Sequence, residues 1–230
     1  MKNLIVLLSV FAISISACKN SSTNSEAVSE EQAQSVNTET RGVEGRYDFK
    51  SGILETQTEM MGMGNANIKT TFEGYGKTQL IESTVSMEMM GKKINTSTRS
   101  LIKDGFLYTW AVPSMGAATK MRIEEGKFDD KNIDFKNLTK EMRDKFQIKE
   151  IANETIDGKD CKVFSFSVEG MNGKSYVWKG LPIQSEMSVS GHTIKTRFVR
   201  FEETDVPSSA FELPADVTFN EMQAPATAAK

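Results

Sequence analysis

The feature that most limits what this chain can fold into is a period-two alternation of apolar and polar residues. It runs from about Gly45 to Phe201 and is broken by short glycine-centred turns. Successive side chains of a strand point to opposite faces, so alternation of this kind specifies strands with one face drier than the other. Leu54, Thr56, Thr58 and Met60 share one face of an early strand, with Glu55, Gln57 and Glu59 on the other. Gln79, Ile81, Ser83, Val85, Met87 and Met89 alternate likewise with Leu80, Glu82, Thr84, Ser86 and Glu88. Turns are expected at Gly62 to Asn65, Gly74-Tyr75-Gly76, Gly91-Lys92, Asp104-Gly105, Asp157-Gly158, Gly180-Leu181-Pro182 and Gly191, with Asn172-Gly173 the strongest hairpin signal. Connections this short join antiparallel neighbours. The fold class is therefore mainly β: an antiparallel meander of roughly nine to eleven strands forming an open (half) β-barrel. One helix interrupts it. Phe135, Leu138, Met142 and Phe146 recur at helical spacing, which predicts a helix over 135–146 packed on or plugging the barrel.

The alternation leaves the two ends of the chain outside the domain. Residues 1–17 carry Lys2, an apolar run from Leu4 to Ile15, and small residues before Cys18. That run is too short to span a bilayer and reads as an export signal. From Lys19 to Glu44 the chain is Ser, Asn, Thr, Glu, Gln and Ala with hardly a large apolar residue. Such a segment cannot bury enough surface to offset its ordering entropy, so 18–44 is expected to be a disordered tether with a reach of roughly 30 Å. Residues 45–220 form the β domain, and 221–230 a flexible tail.

Composition narrows the function classes. The chain has 28 basic and 31 acidic residues, a net charge of −3, and shows no basic stripe with interleaved aromatics. That argues against nucleic acid as a partner. One histidine, His192, leaves almost no material for a histidine-based metal site or a serine triad, and it follows a turn signal at Ser190-Gly191. Cys161, at the start of a strand-like run, is expected to be a small buried hydrophobe. Carboxylate pairs such as Glu124-Glu125, Asp129-Asp130 and Glu202-Glu203 lack the spacing of a calcium loop and read as solvated faces. No catalytic residues, no metal ligands and no cofactor are expected, and the chain is not expected to be an enzyme.

Methionine is the unusual residue, 13 in all, with clusters at Met60, Met61, Met63 and at Met87, Met89, Met90. Three readings stand: gap-filling in a sheet core, the lining of a surface that accepts variable apolar ligands, and soft ligation of Cu(I). The copper reading ranks last, because adjacent residues of a strand point to opposite faces and no histidine or exposed cysteine lies beside either cluster. The lining residues expected on the second reading are Leu54, Met60, Val85, Met87, Met89 and Met187, all at in-phase positions of their strands.

The small residues directly before Cys18 resemble the lipobox of bacterial lipoproteins. The resemblance implies acylation of Cys18 and anchoring by several acyl chains, each buried CH₂ contributing about 0.8 kcal/mol. Asp157-Gly158-Lys159-Asp160-Cys161-Lys162-Val163, then Trp178-Lys179-Gly180-Leu181-Pro182-Ile183, then Phe211-Glu212-Leu213-Pro214 add a second likeness. With the tether and the meander, they resemble the LolA/LolB-like superfamily of lipoprotein carriers and receptors, in its uncharacterised lipoprotein branch. That implies an open half-barrel with an apolar face accepting acyl chains, in a monomer held in the cell envelope at the periplasmic side of the outer membrane. The expected function is binding of a lipid or lipidated partner. The alternative is a structural lipoprotein with no ligand cavity that binds another envelope protein.

Overall fold

In a computed structural model the alternation becomes one sheet. The structure describes residues 45–60, 64–89, 91–113, 118–123, 133–168, 171–189 and 191–222. Twelve strands are present: β1 Gly52–Met60, β2 Gly64–Glu73, β3 Thr78–Met89, β4 Lys92–Lys103, β5 Phe106–Val112 and β6 Ala118–Arg122 in the first half. The second half supplies β7 Lys149–Ile156, β8 Lys159–Val168, β9 Met171–Trp178, β10 Leu181–Val189, β11 His192–Glu202 and β12 Phe219–Met222. Their order across the sheet is β12-β6-β5-β4-β3-β2-β1-β11-β10-β9-β8-β7. Every pairing is antiparallel except β12 with β6. β12 and β7 lie at opposite edges of the order, so the sheet is open, as the half-barrel reading requires.

Two runs of meander, β1 to β6 and β7 to β11, are joined where β1 pairs with β11. Between β1 and β6 the ladder has no register shift. The other run has three, at Glu55/Thr56 opposite β11, at Pro182/Gln184 in β10 and at Glu150/Ala152 in β7. Bulges bend a strand and increase its twist, and the register shifts are confined to this run and its joint with β1. Pro182 sits at such a bulge, where its missing N–H costs little.

Three flanking segments seal the sheet with aromatic side chains. Residues 45–51 bring Tyr47 and Phe49 onto Leu54, Phe72, Cys161, Val163, Tyr176, Leu181 and Ile183. Tyr47 Oη donates to Gln79 Oε1 at 2.7 Å and Gln79 Nε2 donates to the Gly76 carbonyl at 2.8 Å, a buried polar chain within the apolar cluster. Gly76 has φ +83 and a Cβ there would stand 2.6 Å from the Tyr47 ring, so only glycine fits. The segment leading into β12 packs Val206, Ala210, Phe211, Val217 and Phe219 on Leu101, Trp110 and Ala118. Phe135, Leu138 and Phe146 cover Ile148, Phe164 and Val177.

The expected helix over 135–146 is shorter than its spacing suggests. It spans Lys140–Lys145, with Thr139 as N-cap accepting from Met142 N. The Asp134 carboxylate accepts from the backbone N–H groups of Lys136 and Asn137, and this local turn replaces the first helical turn. The apolar spacing is real, but half of it is met by an irregular segment. It covers β8 and β9 rather than plugging the sheet over the methionines of β3 and β10. Asn172-Gly173 is likewise not the turn. Both residues are inside β9, and the chain reverses between Val168 and Met171. Gly173 is glycine because the Phe166 ring lies on it, 2.3 Å from where a Cβ would stand. The two strands that the alternation does not mark are the edges. β7 is exposed along almost its whole length and so has no apolar face to alternate, and β12 has only four residues. β12 also takes Glu221 and Met222 out of the expected tail.

Removing the Phe72 ring, fully buried against Tyr47 and Phe201, should cost about 3–5 kcal/mol in Phe72→Ala. Urea unfolding followed by circular dichroism checks this. Burial pushes the Tyr47 phenol up to about 12 from an ordinary value near 10. The core holds the protonated form, so its contribution is complete below about pH 10 and lost as pH rises toward 12. Ultraviolet titration should show a phenol ionising toward pH 12 that disappears in Tyr47→Phe, while the Tyr176 phenol, also raised by burial, remains.

Candidate functional site: an uncharged sheet face

The ladder carries in-phase residues from strand to strand as continuous rows. Thr96 pairs with Val85, Val85 with Ala66 and Ala66 with Thr58. Thr58 pairs with Thr196, Thr196 with Ser185, Ser185 with Ser175 and Ser175 with Phe164. This row crosses eight strands without a charged residue. One step below it run Thr98, Ser83, Ile68, Thr56 and Phe198, again uncharged. One step above, Met87 pairs with Ile94 on β4, while Met60, Ile194, Met187, Gly173 and Phe166 continue from β1 to β8. That step lies at the hairpin end of the sheet, where β1 passes to β2, β3 to β4, β8 to β9 and β10 to β11.

Apart from Phe164, Phe166 and Phe198, which join the packed clusters, and the isoleucines Ile68, Ile94 and Ile194, the side chains of this face are small, hydroxylated or flexible. Val85 and Ala66 are buried, and Thr58, Thr196, Ser185, Met87, Ile194 and Met187 are half-buried. None of them belongs to the three packed clusters. Thr58 and Thr196 share a hydrogen bond of 2.8 Å across the β1–β11 joint, so their hydroxyls partly satisfy each other. Such a surface presents apolar area with hydroxyl groups and no fixed charge. It suits an apolar ligand that need not meet a counter-ion.

The expected lining residues divide. Val85, Met87 and Met187 lie on this face near its hairpin end. Met60 and Met89 hold ladder positions opposite Ile194 and Lys92, and their side chains lie outside the described residues. Leu54 is on the same face of β1 but is 5 % exposed within the Tyr47 and Phe72 cluster, so it belongs to the core. Cys18 lies outside the described residues. Residues missed as lining are Thr196, Ser175 and Ile194, in phase with the named positions once the β1–β11 pairing is known. Among the described residues a depression of about 220 Å³ is lined mainly by charged-face residues, Glu59, Glu186, Lys195 and Arg197, with Gln184, Ser185 and Thr196. That is below the roughly 300 Å³ at which ligand pockets begin. The candidate site is an open face.

The opposite face is a charge ladder. Arg200, Glu55, Lys69, Glu82 and Arg99 stand opposite one another on β11, β1, β2, β3 and β4. Arg200 meets Glu55 at 2.7 Å, and Glu82 meets Arg99 at 2.8 Å and Lys69 at 3.6 Å. Glu59 pairs with Arg197, and Glu186 with Lys195. The hydrogen bond from Arg200 holds the Glu55 carboxyl below the usual carboxylate range. This is the water-facing side. Burial pushes the Cys161 thiol up, which makes it a packing residue and a poor nucleophile. His192 is exposed at the start of β11, beyond the Gly191 turn. Among the described residues no group of His, Cys, Asp or Glu is arranged to hold a metal ion. No helix among them is long and apolar enough to cross a membrane.

No protein-family model matches this chain, and no curated protein matches it. Solved structures do. MucB in complex with MucA(peri) aligns at 10 % identity over 72 % of this chain and 54 % of that one, with a TM-score of 0.42. LprF from Mycobacterium bovis aligns at 10 % identity over 69 % and 87 %, with a TM-score of 0.34. A putative outer membrane lipoprotein-sorting protein domain from Vibrio parahaemolyticus aligns at 12 % over 73 % and 90 %, with a TM-score of 0.21. This chain spans about half the length of the MucB structure. At these identities and TM-scores the likeness is one of β architecture alone.

The charge ladder generates a test of its own. Glu82→Gln removes the carboxylate from both Lys69 and Arg99, yet these partners are well exposed, so the cost should stay below about 1 kcal/mol. Thermal unfolding at low and high salt checks it. The difference from the parent should shrink as salt screens the pairs.

Proposed function

We propose that this chain is a non-enzymatic lipoprotein of the bacterial envelope, anchored through acylated Cys18. In this reading the uncharged face receives the acyl chains of a lipid or a lipidated partner on the periplasmic side of the outer membrane. One observation carries the reading. Three adjacent rows across the centre of the sheet hold no charged residue, while the opposite face is a ladder of ion pairs. A solvated sheet face normally carries charge, and this chain places its charges on the other side with regularity. Methionine and hydroxyl side chains suit a ligand whose position on the face varies, because a thioether chain adapts its shape at little cost. The open form of the face also supports a protein partner, and an apolar peptide segment is the competing occupant.

A fluorescent acyl lipopeptide titrated into the Cys18→Ala chain should bind in the micromolar range. Met187→Asp should weaken that binding about tenfold or more while the β spectrum is unchanged, because the ligand would then bury an unpaired carboxylate. Binding that is absent, or indifferent to Met187→Asp, would leave the interaction-module reading in its place. The anchor is tested separately. Cys18→Ala should abolish incorporation of radiolabelled fatty acid and release the chain from membranes.

A further inference from the structure

The hairpin end of the face uses methionine where leucine or isoleucine would bury as much surface, and a thioether brings redox chemistry besides its adaptable shape. Met87, Met171 and Met187 stand at the hairpin end on β3, β9 and β10. All three are half-buried, so their thioethers contribute to the apolar face and are also open to solutes. Their direct cross-strand partners are Ile94 for Met87, Val189 for Met171, and Ile194 and Gly173 for Met187. None of these side chains can donate a hydrogen bond. The hydroxyl groups of Thr58, Thr196, Ser185 and Ser175 belong to the row beneath. The methionines therefore stand at the apolar hairpin end of the face, Met171 and Met187 on neighbouring strands and Met87 on β3, next to a hydroxylated row.

We infer that Met87, Met171 and Met187 are a modification site, at which oxidation to methionine sulfoxide switches the face from acyl-binding to non-binding. This rests on the reading proposed above. The thioether sulfur attacks the chlorine of hypochlorous acid, and water then displaces chloride from sulfur, or it attacks an oxygen of a hydroperoxide. An S–O bond forms and the Cl–O or O–O bond is broken, and sulfur gives up two electrons. The oxidant leaves as chloride and a proton, or as the alcohol or water. The product is a polar sulfoxide that accepts hydrogen bonds, placed where its direct cross-strand partners offer no donor, the same-face donors Lys92, His192, Thr96 and Thr196 lying one step along the strands. An acyl chain laid across it would strip the sulfoxide of water without replacing the lost bonds. The change is reversible, since two reductases between them restore both sulfoxide epimers. Met222, at 52 % exposure, lies on the far edge strand, and its oxidation is expected to be silent.

The experiment measures affinity of the Cys18→Ala chain for the fluorescent acyl lipopeptide at three stages. These are before treatment, after limited hypochlorous acid, and after repair with both methionine sulfoxide reductases. Peptide mass spectrometry follows the occupancy of each methionine. Affinity should fall about tenfold or more as Met87, Met171 and Met187 gain oxygen, with the β spectrum unchanged, and return on repair. Met222→Leu should respond in the same way. Undiminished binding with all three fully oxidised overturns the inference and leaves the acyl-binding reading standing. So does a loss that tracks Met222, that precedes oxidation of the three, or that comes with unfolding. Absence of binding before any oxidant is added overturns the reading itself, and the inference with it.

Discussion

The pairing of β1 with β11 is the interaction on which the rest of this sheet depends. Each half of the chain can form its own meander from neighbouring strands, but neither alone buries Leu54, Phe72 and Ile183 in one cluster. The joint brings together residues nearly 140 positions apart, as the Thr58–Thr196 hydrogen bond records. It therefore has the largest loop-closure cost in the sheet. Each face of the joint answers that cost differently. On one side are Thr58, Thr196 and Ile194. On the other are the Glu55–Arg200 and Glu59–Arg197 ion pairs. A slip of one residue would place the carboxylates of β1 on the uncharged face, so the charges act on register more than on stability.

The same logic extends outward from the joint. Lys69, Glu82 and Arg99 continue the sign alternation through β2, β3 and β4, and Gln57, Asn67, Thr84 and Ser97 do so with neutral bonds. Regular pairing of this kind keeps one side of a curved, open sheet hydrated without a layer of helices. The edges follow a related rule. β7 carries Lys149, Glu150 and Glu154 and is bulged at Ile151, features that discourage a further strand from pairing there.

Much of this was legible in the alternation itself. The two faces of β1 and β3, the turns at Gly74-Tyr75-Gly76, Asp104-Gly105 and Asp157-Gly158, and the burial of Cys161 all follow from local sequence. What was not legible depends on contacts between distant residues. Asn172-Gly173 is a hairpin signal by composition, but the glycine answers to the Phe166 ring beside it in the ladder. The helical spacing from Phe135 to Phe146 is an apolar stripe in either case, and the Asp134 turn decides how little of it is helix. Leu54 reads as lining because it is in phase with Met60. Burial under the 45–51 segment moves it into the core. The hydroxyl row from Thr58 to Ser175 is visible as separate Ser and Thr positions, and becomes a surface only when β1 meets β11.

The division of side-chain types over the uncharged face separates fixed contacts from replaceable ones. Where the chain covers its own sheet it does so with aromatic rings: Tyr47 and Phe49, Phe135 and Phe146, Phe211 and Phe219. Large rigid groups bury much surface and fit one arrangement, which suits a permanent contact. Between these covers the face changes to Thr, Ser, Ala and Met. Such residues pack less area each, and methionine in particular accepts several shapes at similar cost. A core built from them would be poorly specified. A binding face built from them tolerates a ligand that arrives, shifts and leaves, and its uncharged character keeps water the only competitor.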